Sequence, residues 1–345
     1  MSKLPPITVG VMTYDRIEFL KETIRSVLSQ TFTDFELIIG NDCPSVPVDF
    51  KVLGIRKDSR VKIINHLENL GEASNMNYLL HETVTEWFTW IADDDLLHPR
   101  YLELLYENIK IANNFSIVGA YSNYSHGTFP GGVFPKEIRS SKNSVYSSAD
   151  FFLKYTSKKI KLIGCFGLMK TKILKKIGGI PSLGNSFGPY SDTLIPILLM
   201  KFGKISWLDQ PLLFFRTHPE SLSIKSSDFL AYTSAETEFL DQLNKTCSSK
   251  NLECVRDIGI FNMLVWFAAD EICVLARNSD LNSFAIVKKY IKQQYEVNMK
   301  RVPNKYKINY FLIIIYNIYQ YLFSMIIRKI FSAVSHTKNF FGRFC

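Results

Sequence analysis

Three adjacent carboxylates, Asp93-Asp94-Asp95, form the part of the sequence with the clearest chemical meaning. Neighbouring carboxylates repel one another, and a turn needs only one of them. A divalent cation relieves that repulsion, and hard oxygen ligands suit Mg²⁺ or Mn²⁺. A cation held by one or two carboxylates keeps positions with which it can bridge a diphosphate and stabilise it as a leaving group. The sequence has no GxxxxGK[ST] motif, so a P-loop nucleotide site is not predicted.

Two earlier apolar runs are also followed by polar clusters. Thr13-Tyr14-Asp15-Arg16 follows the first run, and Asn41-Asp42 follows the second. A single cluster of this kind is equally typical of turns and helix N-caps. A further acid, Asp192, stands at the start of a helical pattern; its residue type and position alone favour an N-cap over a general base.

The apolar runs predict the elements that position these side chains. They are apolar on both faces, as in parallel strands covered by helices, and they alternate with helical patterns. The sequence therefore predicts an α/β fold with an open sheet and a ligand crevice at the carboxyl ends of its strands. The predicted strands are Ile7–Met12, Phe35–Gly40, Val61–Asn65 and Trp87–Ala92, and the predicted helices are Phe19–Ser29 and Ala73–His81.

The second half of the chain has longer irregular segments. Residues 122–148 and 178–190 are rich in turn-forming residues and predict loops near the site. Between and after them we predict a helix over Asp192–Phe202 and strands over Ile205–Leu208 and Leu212–Phe215. From about Phe229 the pattern is helical to the end.

Charge is distributed unevenly along the 345 residues. The formal net charge is +9, yet eleven of the 41 basic residues and one acid, Glu296, lie from Lys288 onward. The near-neutral remainder argues against nucleic acid as a partner, and the basic end indicates an anionic partner. Six cysteines without metal-ligand spacing are interpreted as free buried thiols, and together with the absence of a signal-peptide pattern at the N-terminus they predict a reduced, cytoplasmic compartment.

Several motifs in one order resemble family 2 glycosyltransferases. They cover residues 5–225 and comprise Val9 to Arg16, Ile24 to Phe32, Phe35 to Ile39, Asn69-x-Gly71 through Asn77, the acidic run with Leu96-Leu97-His98-Pro99, and Phe215-Arg216-Thr217-His218. The resemblance implies a GT-A fold and hexosyltransferase-like, inverting transfer from a nucleoside-diphosphate sugar with Mn²⁺ or Mg²⁺. We expect a Rossmann-like, mostly parallel sheet flanked by helices, with a C-terminal helical, membrane-associating extension.

The resemblance also implies roles for single residues. Asp192 would be the catalytic base, which reverses the N-cap interpretation, and Asp94 the main metal ligand with Asp95 beside it. The donor would be bound by Thr13, Tyr14, Asp42, Asn77, Asp93, Arg216 and His218, with Tyr14 on the base and Asp93 near the ribose. The sequence departs from the family pattern at Asp15, Asn41, Met76 and Ser191, where Asn, Asp, Arg and an acid are common.

Residues 308–327 form an apolar segment whose polar residues fall on one narrow helical stripe, with basic residues on both flanks. We interpret it as a membrane-interface helix; a transmembrane span and a helix packed on protein are the alternatives. The predicted parts are a GT-A domain over 1–225 (nucleotide-sugar half about 1–120, acceptor half about 121–225), a helical extension over 226–302 and a membrane-associating tail over 303–345.

These features predict a peripheral or monotopic enzyme at the cytoplasmic face of the plasma membrane. The expected acceptor is a hydroxyl of a lipid-linked glycan in surface polysaccharide (O-antigen or capsule) synthesis. The alternatives are a non-catalytic member that binds nucleotide sugars or scaffolds a membrane complex, and a nucleotidyltransferase, although the Gly-rich basic loop of the latter is absent. Whether the chain forms a homo-oligomer stays open.

Overall fold

A computed structural model describes residues 5–111, 116–128, 144–184, 188–218, 228–277 and 283–322. The chain forms two compact units, one of Met1–Lys225 with Ser234–Arg256 and one of Ser226–Thr233 with Asp257–Cys345. The three-part division expected from the sequence stays a prediction.

The first unit contains one nine-stranded mixed sheet. Its strands are β1 Ile7–Thr13, β2 Phe35–Asn41, β3 Val61–Asn65, β4 Trp87–Ala92, β5 Leu96–Leu97, β6 Ile117–Gly127, β7 Ser144–Tyr146, β8 Leu168–Lys170 and β9 Lys204–Arg216. The order is β3-β2-β1-β4-β8-β6-β9-β5, with β7 paired to β9. The four predicted N-terminal strands pair with one another in parallel, and β6 pairs with β9 in parallel.

Helices of the first unit follow the expected alternation. They are α1 Ile17–Leu28, α2 Phe50–Leu53, α3 Glu72–Glu82, α4 Tyr101–Ile111, α5 Ser148–Thr156, α6 Thr171–Lys176 and α7 Ser191–Leu199, with a 3₁₀ turn over Met200–Phe202. α3 packs on β1 and β2, and α4 packs on β6 and β9. Every residue of β1 is buried, because helices and neighbouring strands enclose it on all sides.

Three details differ from the expectations. The predicted loop 122–148 is partly strand, because β6 extends to Gly127 and β7 begins at Ser144; residues 129–143 lie outside the described part of the chain, as do 185–187 of the second loop. The two strands predicted around Pro211 are one strand, β9, with irregular register opposite β6. Of the described cysteines, Cys43, Cys165 and Cys247 are buried as expected, but Cys254 and Cys273 are exposed.

The C-terminal region is helical, as predicted. Its elements are α8 Phe229–Thr246, α9 Lys250–Arg277, α10 Ser283–Gln293, a π-helical turn Gln294–Asn298, α11 Met299–Arg301, a 3₁₀ turn Asn304–Tyr306, and α12 over 307–322. Residues 323–345, including the end of the predicted 308–327 helix, lie outside the described residues.

Candidate active site

The carboxyl ends of β1, β2 and β4 lie at one edge of the sheet. Thr13 is in register with Asn41, and Met12 is in register with Ala92. The clusters after these strands therefore meet, as the sequence predicts for parallel strands. The Thr13 hydroxyl donates to Asp93 Oδ2 at 2.6 Å, and the Asp42 amide donates to the Thr13 carbonyl at 2.9 Å.

The three acids of the run occupy different environments. Asp93 and Asp95 are fully buried, whereas the Asp94 side chain keeps 12% of its surface exposed. Burial raises the pKa of Asp93 to about 7 against the opposing charge of Arg16. Burial also raises the pKa of Asp95 well above its usual range, and the Asp94 charge adds to that rise. Asp94 is thus the acid of the run that can meet a cation from solvent.

Arg216 holds the acidic run in place through hydrogen bonds. Its backbone amide donates to Asp95 Oδ1 at 2.9 Å, and its guanidinium donates to the Asp94 carbonyl and to Glu22. Its side chain is 1% exposed and lies over the Phe19 ring. The Thr23 hydroxyl binds the carbonyls of Asp93 and Asp95, at 2.7 and 2.8 Å. Arg216, expected to bind the donor, instead fixes the backbone of the acids, because its guanidinium is enclosed in protein.

Two side chains lie against Asp94. His218 Nε2 is 2.9 Å from Asp94 Oδ2, and Arg16 reaches the same oxygen at 2.7 Å. No three His, Cys, Asp or Glu side chains converge on one point within the described ranges. The donor set therefore fits a cation that keeps water and substrate oxygens as ligands, as Mg²⁺ and Mn²⁺ commonly do, and does not provide a complete protein cage. Asp95 does not fit as a metal ligand, since its side chain is fully buried.

The residues expected at the donor differ in accessibility. Tyr14 is 52% exposed next to Asp93, as a stacking surface for a base requires. The Asp42 carboxylate accepts from the amides of Leu70 and Gly71, at 2.7 and 2.9 Å, so it shapes the loop before α3. The Asn77 amide pairs with the backbone of Ile180 in both directions at 2.9 Å. Asn77 therefore fixes the loop after α6.

Three departures from the family pattern have local explanations. Asp15 adopts a left-handed backbone, φ 53°, which Asn and Asp tolerate better than most residues. Asn41 donates to the Val46 carbonyl and to Asn65, which an ionised Asp could not do. Met76, in place of the common Arg, is buried at 2% exposure in α3. Nothing in these contacts explains Ser191.

Asp192 is the second residue of α7, and Tyr190, not Asp192, stands at the N-cap position. The N-cap alternative is therefore wrong. Burial raises the pKa of Asp192, opposed by hydrogen bonds from Thr193. Pro196, four residues later, has no N–H, so the Asp192 carbonyl lacks its helical donor. The backbone at Gly164 lies against this carbonyl: a Cβ at residue 164 would be 1.7 Å from the Asp192 oxygen.

Glu72, at the start of α3, is a site residue that the sequence did not indicate. Its side chain is exposed but lies among protein atoms, and this desolvation raises its pKa to about 6. Arg16 opposes the rise, while the charges of Asp192 and Asp94 add to it. The charge of Glu72 is therefore within electrostatic reach of both the base candidate and the metal candidate. The place of Glu72 directly after Asn69-x-Gly71 was the signal in the sequence that could have identified it.

Comparison with known proteins agrees with this arrangement. The family model described as Glycosyl transferase family 2 matches residues 8–178. Residues 8–178 of the chain belong to this family. An uncharacterized glycosyltransferase of Rickettsia bellii is 27% identical over 146 residues, 39% of this chain and 21% of that protein. The Escherichia coli UDP-Glc:alpha-D-GlcNAc-diphosphoundecaprenol beta-1,3-glucosyltransferase WfgD is 28% identical over 127 residues, 33% of this chain and 50% of that protein.

The family 2 chain thus spans half or less of the length of these two curated relatives. Among solved structures, residues 1–349 of Staphylococcus aureus TarS in complex with UDP-GlcNAc superpose with a TM-score of 0.60 at 15% identity, over 90% of this chain and 89% of that one. At this identity the likeness concerns the fold, which is the predicted GT-A fold with a C-terminal helical region.

Proposed function

We propose that this family 2 protein is an inverting glycosyltransferase that moves a sugar from a nucleoside-diphosphate donor to a hydroxyl acceptor. The observation that carries the proposal is a packing contact: the Trp90 amide of β4 donates to the Cys165 carbonyl at 3.4 Å, and the neighbouring Gly164 lies against the Asp192 carbonyl. This contact holds the start of α7, with the base candidate, next to β4, which leads to the metal candidate; a single displacement requires both groups near one donor. The resemblance of the motifs to the family supports the same assignment.

In the proposed reaction the Asp192 carboxylate accepts the proton of the acceptor hydroxyl. The acceptor oxygen forms the bond to the anomeric carbon as the bond from that carbon to the diphosphate oxygen breaks, and the nucleoside diphosphate leaves with the electron pair. Asp94, with His218 beside it, would hold Mn²⁺ or Mg²⁺, which when bound neutralises charge on the leaving diphosphate. Arg216 keeps Asp94 in place through the Asp94 carbonyl, and Asp93 would lie near the ribose.

The donor pocket is proposed around the exposed ring of Tyr14. Thr13 is held against Asp93, and Asp42 fixes the Leu70–Gly71 backbone, so both would shape the pocket. Asn77 is proposed as a support for this region through its pairing with Ile180. The hydroxyl-bearing acceptor is proposed to be a lipid-linked glycan of bacterial surface polysaccharide, O-antigen or capsule; the name of WfgD, which includes a diphosphoundecaprenol-linked sugar, supports this class.

We also propose that the second unit associates with the membrane through one face of α12. Tyr310 donates to Gln294 at 2.6 Å, and Asn317 donates to the Tyr290 hydroxyl at 3.1 Å, so the opposite face packs on protein. The outer face carries seven exposed apolar residues, here called the apolar ridge: Ile308, Phe311, Leu312, Ile315, Tyr316, Tyr319 and Leu322. Exposed lysines of the same unit include Lys288, Lys289, Lys292 and Lys300.

The apolar ridge and the exposed lysines together favour an anionic membrane as the partner of the second unit. Within the described ranges, one helical segment, Leu252–Leu275, is long and apolar enough to cross a bilayer; 56% of its apolar window is buried within the protein. Burial on this scale is also typical of a core helix, and we therefore propose peripheral or monotopic attachment at the cytoplasmic face.

Binding of nucleotide sugars by wild type and Asp94→Ala tests the core proposal. With Mn²⁺ present, we expect the wild type to bind one nucleotide sugar of a panel by calorimetry and to release its nucleoside diphosphate slowly. Asp94→Ala should bind the same donor at least about tenfold more weakly, because the proposed metal bridge is lost. Asp34→Asn, a change at an exposed carboxylate, is the control. Equal affinity of the wild type and Asp94→Ala would remove the metal role, and binding without any turnover would favour a non-catalytic member.

A further inference from the structure

Arg16 holds the position that the proposed cation needs. Its guanidinium lies 2.9 Å from Asp93 Oδ1 and 2.7 Å from Asp94 Oδ2. The Arg16 side chain is 26% exposed, compared with 0% for Asp93 and 12% for Asp94, so it covers the two acids on the solvent side. The left-handed backbone of Asp15 turns the chain between β1 and α1 and brings Arg16 to this place.

A bound guanidinium and a bound divalent cation cannot share this site. Asp94 Oδ2 already accepts from Arg16 and lies within 2.9 Å of His218, so its outward side is occupied. A divalent cation at that oxygen would also face the positive charge of Arg16 at close range, and the repulsion would be weakly screened next to buried carboxylates. The cation can bind tightly only when Arg16 withdraws.

Arg16 and Arg216 differ in their freedom to move. Arg216 is 1% exposed and is held by a backbone carbonyl and Glu22. The Arg16 guanidinium is held by the carboxylates of Asp93 and Asp94 and reaches solvent, so it can exchange one anionic partner for another without burying a new charge. A planar guanidinium binds phosphate oxygens with the same two-pronged geometry that it uses for carboxylates.

We propose that Arg16 is the internal counter-ion of the ligand-free acidic run and becomes a ligand of the donor diphosphate when the cation takes its place. The inference rests on the proposed function. It makes metal and donor binding cooperative: each weakens the pairing of Arg16 with Asp93 and Asp94, and so each favours the other. Arg16 then lowers the affinity of the free protein for the metal. It raises the affinity of the metal-loaded protein for the diphosphate.

Mn²⁺ titration of the full chain, followed by the electron paramagnetic resonance signal of free Mn²⁺, tests the proposal without reference to activity. Arg16→Gln keeps an amide that can still donate to one carboxylate but removes the charge. We expect it to bind Mn²⁺ alone at least about fivefold more tightly than wild type, the lower range of measured site-to-site coupling. UDP, the probe for the diphosphate, should bind the Mn²⁺-saturated variant at least about fivefold more weakly.

Two further variants complete the design. Arg16→Lys keeps the charge with a single-pronged contact and should lie between wild type and Arg16→Gln in both affinities. Arg100→Gln removes a guanidinium paired with Glu103 on α4 and should match wild type. Melting temperatures within a few degrees of wild type will show that the variants are folded.

The outcomes separate this inference from the function on which it rests. If wild type and both Arg16 variants bind Mn²⁺ with equal affinity, the counter-ion role is wrong while the metal role stands. If Arg16→Gln tightens Mn²⁺ binding but leaves UDP affinity unchanged, the transfer of Arg16 to the diphosphate is wrong. If none of the proteins binds Mn²⁺, with or without UDP, the proposed metal site fails and the inference fails with it.

Discussion

Asp192 combines two features that a general base needs at the scale of a single residue. It lies in the first turn of α7, and burial raises its pKa. A raised pKa brings a carboxylate closer to the pH at which it has to accept a proton, which increases its strength as a base. The same burial makes Asp192 take up a proton at higher pH than an exposed Asp does.

Asp192→Asn should lower kcat by about 10²- to 10⁴-fold, the usual contribution of general base catalysis. Donor affinity should change little, since Asp192 is not proposed to bind the nucleotide. Steady-state kinetics with calorimetry on the same protein will separate the two effects. Asp34→Asn, at an exposed site, should leave kcat unchanged. Turnover of Asp192→Asn near the wild-type rate would show that another group takes the proton.

The pH dependence of kcat/KM should report the same carboxylate. The base acts only when deprotonated, so activity falls as the pH drops through the pKa of Asp192. Because burial raises that pKa above 3.8, the ordinary value, the acidic limb should lie at higher pH than for an exposed Asp. A pH-rate profile from about pH 4 to pH 8 checks this. A profile that is flat down to pH 4 would contradict the assignment.

At the scale of elements, α7 is positioned by a close backbone contact. Pro196 leaves the Asp192 carbonyl without its helical N–H partner, and Gly164 lies against that carbonyl. The segment around Gly164 and the start of α7 can approach this closely only because residue 164 has no Cβ. The position of the base therefore depends on a glycine far away in the sequence.

Gly164→Ala should displace the start of α7, because its Cβ would lie 1.7 Å from the Asp192 oxygen and 2.9 Å from Pro196 Cδ. We expect kcat to fall by up to about 10²-fold, as for a catalytic group misplaced by about 1 Å. The free energy of unfolding should fall by about 1–3 kcal/mol, as for overpacking elsewhere. Gly127→Ala, whose Cβ would meet its nearest neighbour at 3.4 Å, is the matched control. Normal kcat and normal stability in Gly164→Ala would exclude this packing constraint.

At the scale of the whole molecule, the apolar ridge gives the second unit a surface that water does not favour. The ridge is continuous along the outer face of α12, whereas Tyr310 and Ile314 on the inner face are buried. A truncation at Val302 would also remove the buried face, so substitutions on the ridge test membrane attachment more cleanly. Exposed lysines of this unit add attraction to anionic lipids.

Leu312→Glu combined with Ile315→Glu should weaken co-sedimentation with phosphatidylglycerol vesicles by at least about tenfold, because two buried apolar side chains contribute about 3 kcal/mol or more. Wild-type binding should weaken as salt concentration rises. Leu67→Glu, at a fully exposed position in the first unit, is the control. Unchanged vesicle binding would exclude the ridge as the anchor. A change from dimer to monomer in light scattering, without any change in vesicle binding, would assign the ridge to self-association.

Local sequence patterns alone were enough to predict the N-terminal strands, the alternation with helices and the convergence of Thr13, Asp42 and Asp93. Buried parallel strands are continuous apolar runs, and their carboxyl ends must meet at one edge. Likewise, the charge difference between the two ends of the chain is a property of composition. The roles proposed for Asp94 and Asp192 came from the family pattern and stay predictions.

Only the tertiary structure decided which of these residues are accessible and which are enclosed. It buried Asp95 and Arg216 and paired Asn77 with Ile180. It also brought Arg16 and Glu72 to the region of the acidic run. It also joined the residues on either side of Pro211 into one strand and packed one face of α12 on protein. These outcomes depend on contacts between residues up to 194 positions apart, as between Arg216 and Glu22. Local propensity and periodicity carry no information about such contacts, because they arise only when the chain is packed.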